Sequence, residues 1–387
     1  MLTCSRPSQY YIITFSEPLA PQQQLTFSVS YFVLGALTPL PAQIQQQGKQ
    51  YLTYSFSAYF PSAYPTLKQK TNVKFASADI PDYTTTTGLT KSKDPEVQGT
   101  KLTYGPYDSK VEAGAVQPVT VRYEFTKPVL VVSLLERDVE VSHWGGNLAV
   151  EERYWLRNDG ATLKDNFNRV TWATSNFYQQ APTSALRELK VPLKAGSTDV
   201  YFTDDIGNVS TSRFRPSEVR DASYELKPRY PVFGGWKYSF RIGWNNALSS
   251  FVRKLKRSSD THILRVPFIE GPKMAEGVQY ERMEFRIILP EGSKILKWET
   301  TGANLPLLTE SQGLHKTFMD TLGRTTLTLS AANVVDDLRD MEVLISYEYT
   351  GASARRKPLS IIAAFSSVFV VAWLLSLVDV SIGRRQK

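Results

Sequence analysis

The sequence predicts an all-β fold in which two antiparallel β-sandwich-like domains are followed by one C-terminal transmembrane α-helix. Three observations support this class. Short runs alternate apolar with polar residues, turn signals separate these runs at intervals of roughly 8 to 15 residues, and one apolar run near the C-terminus carries no charge. With 387 residues, of which 42% are hydrophobic, the chain is long enough to form more than one core.

The strands are predicted from alternation. Successive side chains of a strand point to opposite faces, so the apolar members of each run should share one buried face. They are Val119, Val121, Tyr123 and Phe125 in one run, Met283, Phe285, Ile287 and Leu289 in a second, and Met341, Val343, Ile345, Tyr347 and Tyr349 in a third. Helical stretches are few, and the clearest short candidate runs from Asn333 to Arg339.

Two similar strand ends suggest a domain boundary. Tyr123-Glu124-Phe125-Thr126 and Tyr347-Glu348-Tyr349-Thr350 each close a block of strands, through duplication or coincidence. We use them only to place a linker at Lys127-Pro128, with a first domain over residues 1–128 and a second over residues 129–352. The first block is short for a sandwich, so we expect it to be incomplete at its N-terminus.

The membrane segment is predicted from one apolar run. Residues Leu359 to Val378 contain no charged side chain, and about 20 helical residues cross roughly 30 Å of hydrocarbon. A buried core helix is the alternative, but such helices are usually shorter and have a polar face. We place the helix and its flanks at residues 353–382 and a short tail at 383–387. Three basic residues precede the run and three follow it, which leaves its orientation undecided: Arg355, Arg356, Lys357, Arg384, Arg385 and Lys387.

A single sequon bears on that orientation. Asn208-Val209-Ser210 lies beside Gly207 and Asp205, in a turn-forming context that would expose the acceptor. A glycan there would place the large domains in the lumen or outside the cell, with type I topology. The first fifteen residues lack the apolar core of a signal peptide, so we expect the chain to lack its own N-terminus. Cys4 is the one cysteine and forms no internal disulfide.

Known catalytic patterns are absent from the sequence. His143, His262 and His315 are far apart, none has metal-ligand spacing, and the neighbouring carboxylates of Glu151-Glu152 and Asp204-Asp205 would face opposite sides of a strand. We therefore predict no catalytic residue, cofactor site or metal site. The net charge of +8 is dispersed, and no stretch interleaves basic and stacking residues, which argues against nucleic-acid binding.

The basic cluster from Arg253 to Arg257 is interpreted as a solvated loop, with contact to lipid headgroups as the alternative.

Two segments combine a glycine pair with tryptophan. Both are predicted to be structural corners or interdomain contacts, in which a large aromatic body buries area and its polar edge finds a partner. In the first, His143 is expected to be hydrogen-bonded rather than to act as a general base. The segments are His143-Trp144-Gly145-Gly146 and Phe233-Gly234-Gly235-Trp236.

Several long segments, in order along the chain, resemble the ribophorin I family, whose members form the alpha subunit of the oligosaccharyltransferase of the endoplasmic reticulum. The similar segments are SAYPTLKQKTNVKFAS, EVSHWGGNLAVEERYWLRNDGATLKDNF, DDIGNVSTS, ELKPRYPVFGGWKYSFRIGWN and ILPEG, followed by the single apolar run. The family has two luminal β-rich domains and one membrane span, which matches the pattern read from the residues.

The resemblance implies a non-catalytic subunit in the transfer of oligosaccharide from dolichyl diphosphate to asparagine. The Trp-Trp-Asp-Tyr-Gly motif of the catalytic subunit does not occur here. The implied partners are that catalytic subunit, small membrane subunits beside Ser366 and Ser367, and nascent polypeptide. The implied location is the endoplasmic reticulum membrane, single-pass type I with the bulk in the lumen, and the implied modification is a glycan on Asn208.

The chain departs from the family pattern at both ends. It shows no signal peptide, and it stops soon after the apolar run, so the cytosolic role of longer animal members is not assigned to it. Two other classes stay open at this point: a single-span β-sandwich receptor or adhesion ectodomain, and a glycosyltransferase acting alone, for which no donor site is visible.

Overall fold

The computed structural model describes residues 18–86, 94–179, 181–256, 258, 260–302, 307–317 and 320–378. Predictions that concern Cys4, Arg257 and the tail at 383–387 lie outside these residues. Residues 18–34 belong to a separate compact unit, and no strand or helix is assigned within this described stretch. From Gly35 onward the described residues form a second unit, which is mostly β-strand and ends in one long apolar helix.

The N-terminal part of this second unit contains two small antiparallel sheets with the strand orders β1-β3-β8-β5 and β4-β7-β6. They share one hydrophobic cluster, which includes Leu52, Leu102 and Tyr104. The predicted alternation is confirmed here, because Val119, Val121 and Tyr123 are buried while Phe125 is half-buried. The strands are β1 Leu37–Pro39, β2 Gln43–Ile44, β3 Tyr51–Ser57, β4 Gln69–Lys74, β5 Asp82–Tyr83, β6 Glu96–Gln98, β7 Lys101–Tyr107 and β8 Pro118–Glu124.

The larger C-terminal part is built around an eight-stranded sheet. Its strands are β9 Leu130–Ser142, β10 Asn147–Asn158, β13 Thr198–Asp204, β14 Gly207–Asn208, β17 Lys237–Ala247, β20 Gln279–Glu291, β22 Thr309–His315 and β23 Arg324–Val335, in the order β14-β13-β17-β10-β9-β20-β23-β22.

Two smaller sheets, β12-β16-β15 and β18-β19-β24-β21, contribute to the same hydrophobic cluster as the large sheet. Their strands are β12 Leu189–Leu193, β15 Arg213–Arg215, β16 Ala222–Leu226, β18 Val252–Lys254, β19 Thr261–Pro267, β21 Lys294–Thr301 and β24 Glu342–Glu348, while β11 Thr162–Leu163 pairs with β2. The alternation predicted in β20 and β24 is confirmed, since Met283, Phe285, Ile287, Leu289, Val343, Ile345 and Tyr347 are all buried.

The strand pairing corrects the prediction of purely antiparallel sheets. At the centre of the large sheet, β9 and β20 run parallel, with Gln279 opposite Val131 and Ile288 opposite Glu140. Parallel neighbours need a long crossover connection. Here the chain passes through β10 to β19 before it returns to the same end of the sheet.

The helices also differ from the prediction. The segment predicted as a helix from Asn333 to Arg339 begins as strand, and only Asp336–Asp340 forms a short 3-10 helix. A second 3-10 turn covers Leu248–Ser250. The helix α1, Arg169–Ala173, continues into a π-helical turn at Thr174–Gln179 and is not marked by any periodic apolar run in the sequence.

The C-terminal helix α2 covers Gly351–Ser376, so it begins eight residues before the predicted apolar run and ends two residues before Val378. Thr350 caps it, because its hydroxyl accepts a hydrogen bond from the Ser353 amide at 3.2 Å. Among the described residues, α2 is the one helix long and apolar enough to cross a membrane, and none of its apolar window is buried. The chain thus joins a β-rich body to a helix whose apolar window has no protein cover.

Candidate functional site

The sequon lies in a tight hairpin at one edge of the large sheet. Asn208 is exposed in β14 and pairs with Thr203 of β13. The turn is held by Asp204, whose carboxylate accepts hydrogen bonds from the amides of Ile206 and Gly207, each at 3.0 Å. Arg229 donates two further bonds to this carboxylate, at 2.8 and 3.0 Å, and thereby lowers the pKa of Asp204 to about 2. The acceptor asparagine therefore lies on a rigid, solvent-facing turn.

A groove of about 420 Å³ lies on the face that Asn208 shares. Paired residues of neighbouring strands project to the same side of a sheet, and one such row runs from Asn208 through Thr203 and Arg241 to Arg153. The Arg153 guanidinium lies over the Trp155 ring at 5.3 Å from its centroid. The sequence gives no sign of this groove, because its lining comes from three strands far apart along the chain: Arg153, Trp155, Thr203, Asp204, Asp205, Ser239, Phe240 and Arg241.

The first glycine–tryptophan segment forms the turn between β9 and β10. Gly146 adopts φ +65, a conformation that favours glycine, and its carbonyl accepts a bond from the Leu248 amide at 2.9 Å. The expectation that Trp144 buries its aromatic body is wrong, because its side chain is 68% exposed. A hairpin tip projects beyond the neighbouring strands, which leaves most of Trp144 exposed there. We call residues His143–Gly146 the hairpin tip.

His143, the first residue of the hairpin tip, packs in a cluster of aromatic rings. Its Nε2 lies 2.7 Å from the Tyr347 hydroxyl, and its ring packs on His262 and Tyr349 at centroid distances of 4.7 and 4.8 Å. Burial and the neighbouring His262 lower the pKa of His143 to about 4. Burial likewise lowers the pKa of His262. Both imidazoles are therefore neutral at pH 7, and Tyr347 supplies a hydrogen-bonding partner.

The polar edge of Trp144 binds the first turns of α2. Its indole Nε1 donates to the Ala354 carbonyl at 3.1 Å. In an uninterrupted helix that carbonyl would accept the amide of the residue four positions later, but that residue is Pro358, which has no N–H. Trp144 thus supplies the donor that the proline removes from the helix.

Two further contacts join α2 to the large sheet. The Ser353 hydroxyl donates to the Gly292 carbonyl at 3.3 Å, and the Lys357 ammonium donates to Asp320 at 3.0 Å. Burial opposes ionisation of Asp320, but hydrogen bonds from Thr317 and Lys357 outweigh it and hold the pKa of the carboxyl well below its usual range. Together with Trp144, these groups fix the start of α2 on the turns at one end of the sheet.

The second glycine–tryptophan segment lies at the opposite end of the large sheet. Phe233 is buried within a group of rings that includes Phe167, Trp172 and Trp236. A Cβ on Gly234 would overlap the backbone carbonyl oxygens of Gly160 and Ala161. In this segment the glycine is required because two main chains pack in direct contact.

A buried asparagine joins this segment to the N-terminal sheets. Asn158 accepts from the Val129 amide at 3.1 Å and donates to the carbonyls of Ser184 and Val232 at 2.8 and 3.0 Å. Gln50, from the N-terminal sheets, donates to Lys127 and accepts from the Ala161 amide. The predicted linker at Lys127-Pro128 is thus bordered by ordered polar contacts.

A buried ion cluster lies inside the large core and has no counterpart in the sequence analysis. Arg137 is 1% exposed and donates to the carboxylates of Glu152 and Glu270. The Tyr154 hydroxyl donates to Glu152 at 2.6 Å, and burial raises the pKa of Glu270. Adjacent Glu151 faces the other way, toward Tyr201 and Arg241. Alternation correctly separates the two glutamates, but it does not reveal the distant arginine that pairs with one of them.

The remaining predicted residues lie on the surface. Arg253, Lys254 and Lys256 are exposed around the turn after β18, while Arg257 is outside the described residues. Within the described ranges, no group of three or more His, Cys, Asp or Glu side chains is placed to hold a metal ion.

Comparison with known proteins gives one family. A family model described as ribophorin I matches residues 3–376. A Caenorhabditis elegans protein named dolichyl-diphosphooligosaccharide–protein glycosyltransferase subunit 1 is 32% identical over 372 residues, which cover 96% of this chain and 60% of that protein. The protein of the same name from Schizosaccharomyces pombe is 33% identical and covers 89% of this chain and 74% of its own length.

The plant relatives agree. Subunit 1B from Arabidopsis thaliana is 30% identical and covers 97% of this chain and 76% of its own length. The chain thus spans between 60% and 76% of these three curated relatives. Among solved structures, native leukotriene A4 hydrolase from Saccharomyces cerevisiae aligns with 56% of this chain and 29% of its own at 9% identity and a TM-score of 0.32, a likeness too low to carry an argument.

Proposed function

The chain belongs to the ribophorin I family, and we infer from this that it serves as an accessory subunit of an oligosaccharyltransferase in the endoplasmic reticulum. The observation that carries the proposal is the family match over residues 3–376, together with relatives that are named as subunit 1 of this glycosyltransferase. In this role the chain supports the transfer of oligosaccharide from dolichyl diphosphate to asparagine in nascent polypeptide.

The proposed role is non-catalytic. Its support is that three of the most buried carboxylates among the described residues have structural partners: Glu152 and Glu270 pair with Arg137, and Asp320 pairs with Arg324 and Lys357. A catalytic carboxylate must be free to contact substrate or metal. We therefore assign the chemistry to another subunit of the complex.

We propose that α2 anchors the chain as a type I membrane protein with the β-rich body in the lumen, and that Asn208 carries a glycan. Two features support this. Asn208 is exposed, and β13 brings it toward the end of the large sheet opposite to the start of α2. An acceptor in that position is far from the membrane surface and open to a glycosylating enzyme.

The proposed partners are the catalytic subunit, small membrane subunits and nascent polypeptide. The small subunits are expected to pack on α2, whose apolar surface has no cover, with Ser366 and Ser367 allowing close approach of a second helix. We also propose that residues 129–352 and the sheets before them act as two domains, which is supported by their two separate hydrophobic clusters.

The test is affinity purification of the tagged full-length gene product in a mild detergent, followed by mass spectrometry of the proteins that co-purify and of the Asn208 peptide. We expect stoichiometric recovery of a catalytic oligosaccharyltransferase subunit and a high-mannose glycan on Asn208. Recovery of the chain alone with a mature glycan would overturn the proposal in favour of a cell-surface receptor. Transfer activity of the purified chain by itself would overturn the non-catalytic assignment.

A further inference from the structure

The end of the large sheet that holds the hairpin tip is constrained to lie at the membrane surface if α2 spans the bilayer. Trp144 contacts α2 at Ala354, five residues before the apolar run begins at Leu359. At 1.5 Å per residue the contact is about 7.5 Å from the hydrocarbon, at the outer edge of the headgroup layer. Ser353 and Lys357 also form hydrogen bonds to the turns at this end of the sheet. The β-rich body therefore has little freedom to tilt away from α2.

The basic turn after β18 lies at the same end. Lys254 pairs with His262 of β19, and His262 pairs with Tyr347 near the end of β24. The Tyr349 amide donates to the Asp260 carbonyl at 2.8 Å, so the turn abuts the chain just before α2 starts. The basic residues at 253–256 are thus brought next to the first turns of α2.

The exposed side chains of this end are basic and apolar. Trp144 is 68% exposed and Leu255 is 42% exposed. The exposed cations are Lys254, Lys256, Lys294, Arg355 and Arg356. The carboxylates that reach the surface at this end include Asp199, Asp260 and Glu348, and Asp320 is paired with Lys357 and Arg324. The balance is positive, and an exposed indole beside cations is the composition that contacts headgroups.

We propose that the hairpin tip and the adjacent residues Lys254–Lys256 form one phospholipid-binding surface, with Trp144 and Leu255 in the headgroup layer and Lys254, Lys256, Arg355 and Arg356 against anionic lipid phosphates. This inference rests on the proposed anchoring through α2. It adds a second membrane contact, made by the β-rich body itself, which fixes the orientation of the body on the bilayer. The resulting orientation points the Asn208 hairpin away from the membrane.

The test places a nitroxide label at Leu255 in the full chain. Cys4→Ser first removes the one native cysteine. The matched control is Ile206→Cys, because Ile206 is also an exposed apolar residue on a turn but lies near the opposite end of the sheet, about 24 Å along β17 by its register. Each labelled chain is reconstituted in nanodiscs of phosphatidylcholine, with or without phosphatidylglycerol.

The readout is the accessibility of the label to oxygen and to a water-soluble nickel chelate. At Leu255 we expect a several-fold higher oxygen-to-nickel ratio than at Ile206, a further rise with phosphatidylglycerol, and loss of that further rise in Lys256→Gln but not in Lys237→Gln. Lys237 is an exposed lysine at the far end of β17. Equal ratios at Leu255 and Ile206, or no response to phosphatidylglycerol, would overturn the proposal.

The same labelled chains are also reconstituted with lipid vesicles and tested by flotation. This experiment distinguishes failure of the proposed surface contact from failure of the anchoring on which it rests. A chain that floats while its Leu255 label behaves like Ile206 refutes the surface contact and leaves the anchor intact. A chain that fails to float refutes the anchor, and with it the inference.

Discussion

The two glycine–tryptophan segments are similar in sequence but differ in structure, because one is buried between packed elements and the other forms an exposed turn. In the segment Phe233–Trp236, an aromatic ring is buried and Gly234 lets two main chains touch. In the hairpin tip, Trp144 is exposed and Gly146 only completes a turn, with no atom within 4 Å of the position of a Cβ. The first segment stabilises the body, whereas the second connects the body to α2.

The comparison shows that a residue pair has no fixed structural meaning apart from its place in the sheet. Phe233 and Trp236 lie between packed elements and are surrounded by rings from α1 and from the loop before it. Trp144 lies at the end of a hairpin, where a ring can only be covered by something outside the sheet. Substitutions at matched positions should therefore differ widely in effect.

The largest effect is expected for Gly234→Ala. The added methyl group would overlap the backbone oxygens of Gly160 and Ala161, which cannot rotate away as a side chain can, so the loss of stability should exceed about 3 kcal/mol. Denaturant unfolding of the full chain in mild detergent measures it. The control is Gly145→Ala, where the methyl group meets only the ends of Asn147 and Ser142. Equal losses at the two positions would contradict the assigned difference.

Acid should weaken the hairpin-tip end through His143. The folded-state pKa is lowered to about 4, against 6.5 for the unfolded chain, so the unfolded state binds the proton first. Stability is thus present well above pH 6.5 and is lost as the pH falls toward 4, by about 2 kcal/mol once solvent screening of the half-buried ring is allowed for. Unfolding at pH 7 and pH 4.5 measures this loss, which His143→Gln should reduce. A pH dependence of the same size in His143→Gln would contradict this assignment.

Gly146→Ala should have a moderate effect. The backbone at φ +65 strains an alanine by about 1 kcal/mol, and the open surroundings add no steric overlap. Gly146→Asn should lose less, because asparagine tolerates this region better. Thermal unfolding of the two variants compares them, and a loss from alanine as large as that from Gly234→Ala would show that the tip is packed more tightly than its exposure indicates.

The smallest effect on global stability is expected for Trp144→Phe, within about 0.5 kcal/mol, because the ring is mostly exposed. The local effect is on α2, since the Ala354 carbonyl loses its donor. Hydrogen exchange of the amides at residues 351–357 should therefore become faster. Pro358→Ala restores an in-helix donor, so Trp144→Phe should have little further effect in that background. Additive effects of the two substitutions would show that Trp144 does not replace the missing amide.

Local patterns predict the strands because one face of each strand is buried, and they predict the C-terminal run because it is apolar throughout. Met283 to Leu289 and Val343 to Tyr347 follow this rule directly. Features that depend on distant partners are not visible in such patterns. Arg137 is in phase with the buried Leu135 and Val139, but only the fold reveals that it lies between Glu152 and Glu270.

The features of the candidate site also differ in whether the sequence alone predicts them. The exposed turn around Asn208 is predictable from Asp205 and Gly207, since turn chemistry is local. The exposure of Trp144 is not, because it depends on which strands flank the hairpin. The sequence shows that Pro358 leaves the Ala354 carbonyl without its usual helical donor. It does not show that Trp144, more than two hundred positions away, donates to that carbonyl instead.

The parallel pair at the centre of the large sheet has a consequence for synthesis. The strand β9 is complete at Ser142, but β20 does not begin until Gln279. At typical elongation rates, the chain between them takes on the order of ten seconds to emerge. Throughout that interval one edge of β9 carries unpaired amides and carbonyls, to which another strand could add. The nascent sheet is thus most vulnerable to wrong pairing during elongation, well before α2 reaches the membrane.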